Sequence, residues 1–107
     1  MAENKMDKRY FAFISISALR KHIKSIVGSI PELYIKEFHD ALDILEDDGI
    51  DTNIFRIPAT EIKPGFVEFA GKIKYTYERY APKALLLAKI DALITYLKIE
   101  NSPANLS

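Results

Sequence analysis

The sequence predicts a mainly α domain with a minor β part: an antiparallel helical hairpin, a small β-hairpin and a long C-terminal core helix. Three observations predict it. Apolar residues recur at 3-4 spacing in Ile16, Leu19, Ile23, Ile26 and Ile30 and again in Ile35, Phe38, Leu42 and Leu45, the period of a buried helix face. Val67, Phe69, Ile73, Tyr75 and Tyr77 alternate with polar or small residues about Gly71, the period of a strand pair. Residues 85–99 carry apolar side chains on two sides of a helix rather than one.

The first helix is expected from Asp7, as an N-cap, to about Val27, with Gly28 in the left-handed position that ends many helices. Ser29-Ile30-Pro31-Glu32 then reads as a stop and a restart, with Pro31 in the first turn of a second helix that ends near Asp47, where its missing N–H costs nothing. Ile35, Phe38, Leu42 and Leu45 point inward, helped by Tyr34 and Ala41. Glu32, Lys36, His39, Asp40, Asp43 and Glu46 point out. Residues 50–65 have no sustained period and two prolines, so they form a connection that is partly packed through Ile54, Phe55 and Ile57, with one short helical turn beginning at Asp51 or Thr52.

Residues 67–77 have two readings. A helix would align Phe66, Phe69, Ile73, Tyr77 and Tyr80 but strand Val67 and Tyr75; the β-branched and aromatic content favours the hairpin. The last helix is expected from about Tyr80, with Pro82 in its first turn, to Ile99. Leu86, Leu87, Ile90, Leu93, Ile94 and Leu97 form its broad stripe. This makes it the expected centre of the core. Leu85, Ala88, Ala92, Tyr96 and Ile99 form a second, flatter stripe. A helix with two apolar stripes needs neighbours on two sides. In so short a chain the second neighbour is expected to be another copy or another protein, and these five residues are the predicted protein interface.

At 107 residues and 49% apolar content the chain is a single globular domain, expected over 7–100 with loose tails at 1–6 and 101–107. With no cysteine, disulfides, thiol catalysis and thiolate metal sites are excluded. The apolar run 10–19 follows Lys5, Lys8 and Arg9 as a secretory leader would, but Arg20 and Lys21 follow at once without a cleavage site. Lys89 and Asp91 interrupt the C-terminal apolar stretch, so no membrane span is expected. The absence of cysteine fits a cytoplasmic protein, and that location is the expectation.

The net charge is zero but unevenly distributed. Residues 5–24 hold six Lys or Arg against Asp7, and residues 32–51 hold eight acids against Lys36. Two antiparallel helices of complementary charge account for this; a dipolar surface that orients a charged partner is the alternative. Asp47 and Asp48 stand at a helix C-terminus, where the macrodipole disfavours them. A basic neighbour is therefore expected, either the start of the first helix or Arg56. A calcium loop fails in register: with Gly49 sixth, Ile44 and Phe55 would stand first and twelfth.

No catalytic signature is present: there is no glycine-rich phosphate loop, serine elbow or His-Glu-x-x-His motif. His39 and Asp43 share a helix face, yet a metal site would also need His22 from the next helix and a fourth ligand. No cofactor or metal is expected, and the chain reads as a non-enzyme acting through protein contact. The alternative is a nucleic-acid-binding strip. Lys72, Lys74, Tyr75, Tyr77, Arg79 and Lys83, with Arg20 and Lys24 from the first helix, combine cations for phosphates with rings for base stacking. A hairpin, however, places the lysines and tyrosines on opposite faces, with the tyrosines expected on the core.

Overall fold

The structure, a computed structural model, describes residues 5–100, with side chains from Lys8 onward. The expected tails at 1–4 and 101–107 lie outside the described residues. Three helices make the body: α1 (Lys5–Lys24), α2 (Glu32–Asp47) and α3 (Lys83–Glu100). Three antiparallel strands, β1 (Ile30–Pro31), β2 (Lys63–Phe69) and β3 (Lys72–Ala81), form a small sheet in the order β1-β3-β2. The fold class is the expected one, mainly α with minor β. No helix among the described residues is long and apolar enough to cross a membrane.

Boundaries move where neighbours override local signals. The α1 helix starts at Lys5, so Asp7 lies inside its first turn and is not the cap, and residues 5–6 belong to the helix. Its end at Lys24 leaves Gly28, at φ +90°, in the following loop. Pro31 is the N-cap of α2 rather than a first-turn residue, because Ile30 and Pro31 pair with Ala81 and Tyr80 as a short strand. That pairing also holds Tyr80 and Ala81 extended, and α3 begins at Lys83, later than periodicity suggested. Leu86 N–H donates to the Pro82 carbonyl in its first turn.

Burial follows the helical seams. Ile16 and Ile23 from α1, Ile35, Phe38, Leu42 and Leu45 from α2, and Leu86, Ile90, Leu93 and Leu97 from α3 join Ile30, Phe55 and Ile57 in one core. Leu19, Ile26, Leu87 and Ile94 pack half-buried at its edge. The α1 helix packs against both α2 and α3, and α3 brings four large buried side chains to the core. The connection 50–62 has two 3-10 turns, Asn53–Phe55 after Thr52 and Ala59–Glu61. Ile54, expected to pack, is exposed.

Ion pairs tie the body together. Arg9 reaches Asp48 at 2.5 Å, and Arg56 reaches Asp43 at 2.7 Å and Glu46 at 2.8 Å. Of the two basic neighbours expected for Asp47 and Asp48, the start of α1 supplies one, to Asp48, whereas Arg56 pairs one turn earlier with Asp43 and Glu46. Complementarity between α1 and α2 is only partial, since Arg20 pairs with Asp91 on α3.

Candidate interaction surface: a hairpin without a core

The β-hairpin departs most from expectation in its surroundings. Ala70 and Gly71, at φ +52° and +78°, form its two-residue loop, closed by the Phe69–Lys72 pair. Two positive φ angles in succession define the type I′ turn, whose twist matches that of the flanking strands. Below it Glu68 pairs with Ile73, Val67 with Lys74 and Phe66 with Tyr75. A register shift between Pro64 and Phe66 leaves Gly65 opposite an irregular stretch of β3. A Cβ on Gly65 would lie 2.7 Å from a Tyr80 ring carbon and 2.9 Å from Thr76 Oγ1. Both side chains therefore overhang this glycine.

Directly opposed residues of an antiparallel pair share a face. One face carries Phe66, Glu68, Ile73 and Tyr75; the other carries Val67, Phe69, Lys72 and Lys74. Lys72 and Lys74 lie on the face opposite Tyr75, as the alternation predicted, but Phe69 shares the lysine face. The tyrosine row, however, does not lie on the core: Phe66, Val67, Ile73 and Tyr75 are all exposed, Phe69 is 82% exposed, and Tyr77 is fully exposed at 106%. The ribbon lacks helix cover because it extends away from the body, in a molecule measuring 64 × 26 × 21 Å. A twenty-residue helix spans only about 30 Å. At the root of this arm, Val27, Pro64, Phe66, Tyr80 and Pro82 line a groove of about 590 Å³.

The basic residues of the nucleic-acid reading are not assembled into one strip. Lys72 and Lys74 are exposed on one arm face and Tyr75 on the other. Arg79 donates to the Ile62 carbonyl at 2.6 Å. Lys83 donates to the carbonyls of Lys24 and Ile26, at 3.1 and 2.6 Å, and so closes the end of α1. Arg20 is paired with Asp91, while Lys24 is exposed.

The second stripe of α3 is largely open. Ala88, Ala92, Tyr96 and Ile99 are exposed, and Leu85 is half-buried against the core. The first 3-10 turn covers part of it: the Phe55 and Tyr96 rings meet at 5.9 Å, and Lys89 donates to the Ile54 carbonyl. Tyr96 donates to Glu100, and its phenol is raised above the usual value by desolvation and by that carboxylate. Tyr80 is shifted the same way, by desolvation and by Glu78.

The histidines are engaged separately. His22 contacts Tyr34, Nε2 to hydroxyl at 3.1 Å. His39, expected to point out, is half-buried, and its Nε2 accepts the Ile57 N–H at 3.0 Å. Burial lowers its pKa, and the Arg56 cation lowers it further against the opposing pull of Asp43 and Asp40. The Arg56 guanidinium is raised, first by its hydrogen bond to Asp43. Among the described residues no three His, Asp or Glu side chains are grouped as a metal site would need.

No protein-family model matches this chain, and neither does any curated protein or solved structure. The exposed arm escaped sequence reasoning because alternation reports a strand pair but not what lies against it. The signal was present in Val67 and Phe69. They share a face with Lys72 and Lys74, so neither face of the ribbon is purely polar.

Proposed function

We propose that this protein works without catalysis, by protein–protein contact, homodimerising or docking through its exposed apolar surfaces. The carrying observation is the arm: Phe66, Val67, Phe69, Ile73, Tyr75 and Tyr77 are all exposed on a two-stranded ribbon. They lie on both faces of the ribbon, Phe66, Ile73 and Tyr75 on one and Val67 and Phe69 on the other, so neither face is without apolar contact surface. An isolated two-stranded ribbon is only marginally stable in water, so covering it also stabilises it. The open stripe Leu85, Ala88, Ala92, Tyr96 and Ile99 on α3 is a second contact surface, its alanines letting another helix approach closely. Two facts support the absence of catalysis: His39 serves a backbone N–H, and the carboxylates of Asp43, Glu46 and Asp48 serve arginines.

Sedimentation from low to high micromolar concentration tests this reading. Self-association is expected, weakened by Phe69→Asp or by Ala92→Glu with the helical signal unchanged. A strict monomer that instead binds short DNA or RNA, with affinity falling steeply with salt, would replace it with the nucleic-acid reading through Lys72 and Lys74.

A further inference from the structure

The outer edge of β3 is open. Strand β1 pairs only with Tyr80 and Ala81, so no strand among the described residues lies along that edge from Lys72 to Arg79. Thr76, Tyr77 and Glu78 face the single residue Gly65, a bulge in β3 that keeps the parity of the strand, because Tyr75 and Arg79, four apart, pair with Phe66 and Pro64, two apart. Thr76 and Tyr80 both overhang Gly65, and Tyr80 donates to Glu78. Lys72, Lys74, Thr76 and Glu78 therefore share one face, and Ile73, Tyr75 and Tyr77 the other.

Resting on the reading above, we propose that this edge is the seam between two copies of the chain. In it β3 pairs antiparallel with β3 about a twofold axis through Tyr75, making a continuous four-stranded ribbon. A symmetric seam requires a self-complementary edge, and this one is self-complementary. Lys72 comes opposite Glu78 of the second copy, Lys74 opposite Thr76, Ile73 opposite Tyr77, and Tyr75 opposite Tyr75. Opposite charges and aromatic or β-branched pairs are the favourable cross-strand combinations. One face of the seam becomes a continuous row of Ile73, Tyr75 and Tyr77 from both copies; the other carries two Lys72–Glu78 pairs.

The fold restricts the register. Moving the axis to Thr76 sets Lys72 opposite Tyr80, where Pro31 already lies. Moving it to Lys74 removes the lysine–glutamate pair. The opposite edge of the ribbon is unsuited: Pro64 has no N–H to donate, and symmetric pairing there sets Glu68 against Glu68 or Phe66.

Within one chain Lys72 and Glu78 lie about 20 Å apart along the strand, so any coupling between them arises between copies. The full chain is compared by sedimentation equilibrium with Lys72→Glu, Glu78→Lys and the double variant, circular dichroism confirming the helices in each. Each single variant creates two like-charge pairs and is expected to weaken the dimer about tenfold. The double variant is expected to return to within about threefold of the parent. Additive losses, or a parent that stays monomeric at several hundred micromolar, overturn the seam. A dimer indifferent to these charges but lost in Ala92→Glu also overturns it, placing the contact on α3 and leaving the protein-contact reading intact.

Discussion

Arg9 and Asp48, thirty-nine positions apart, are joined by an Nε–Oδ2 contact of 2.5 Å in which the Asp48 side chain keeps only 2% of its exposure. The pair brings the beginning of α1 to the end of α2, and it fixes the two helices antiparallel. It also resolves an electrostatic problem. Asp48 caps α2 at its C-terminus, where the helix dipole repels a carboxylate, and the guanidinium offsets both that repulsion and the desolvation of the buried charge.

Arg9→Met is therefore expected to destabilise the fold by about 2–3 kcal/mol, less than a fully buried pair because Arg9 keeps some water contact. Urea denaturation at neutral pH measures it. Addition of Asp48→Asn to Arg9→Met should recover part of the loss, since the stranded charge is then gone. If the single variant is as stable as the parent, the pair is a surface contact in effect.

His39 gives the fold a pH dependence. Its pKa is lowered in the folded state by burial and by Arg56, so folding favours the neutral ring, whose Nε2 accepts the Ile57 N–H. The contribution to stability is fully present above the unfolded value of about 6.5 and is lost as pH falls from there towards the folded pKa. Denaturation midpoints measured from pH 7.5 down to 5 should decline, and His39→Gln should flatten that decline. An equal slope in both proteins assigns the dependence elsewhere.

The arm turn contains a mismatch that is open to repair. Ala70 sits at φ +52°, a conformation that costs a residue with a Cβ roughly 1 kcal/mol. Ala70→Asn creates Asn-Gly, the preferred type I′ pair, and should slow amide exchange in β2 and β3 while leaving the urea midpoint of the helical body in place. Unchanged exchange protection would show that the turn does not limit the ribbon.

Gly65→Ala should act oppositely. Its Cβ would fall within 3 Å of both Tyr80 and Thr76, forcing the overhanging ring aside at a cost of about 1–3 kcal/mol. Chemical shifts of β3 residues report the displacement. Shortening the ring in Tyr80→Leu should relieve it; no relief would place the strain in the backbone.

Neighbouring positions on α3 separate its two faces. Leu93 is fully buried and Ala92 exposed. Leu93→Ala should cost about 2–5 kcal/mol, whereas Ala92→Glu should change monomer stability by no more than about 0.5 kcal/mol. Thermal melts of dilute protein distinguish them, and a large loss in Ala92→Glu would mean the outer stripe is covered within the chain.

Helix identity and facing were legible because burial is periodic along the chain. The spacing of Ile16, Leu19 and Ile23, or of Leu86, Ile90, Leu93 and Leu97, states which side must leave water whatever lies opposite. The type I′ turn was partly legible through Gly71, and the need for a cation near Asp48 followed from the helix dipole alone. Site geometry was less legible. Lys83 and Arg79 looked available for a ligand because a sequence shows a cation and not the carbonyl it reaches.

By itself, then, the sequence determined the three helices, their inward faces and the absence of thiol chemistry, and it favoured the strand pair over a helix, all of which rest on local period or composition. Tertiary structure alone decided that Ile30-Pro31 joins the sheet, that α1 lies between α2 and α3, and that the ribbon extends beyond the core with both faces and the outer edge of β3 open. Those outcomes depend on contacts between residues distant in sequence. Alternation about Gly71 is the same whether a strand pair packs on a helix or stands in water.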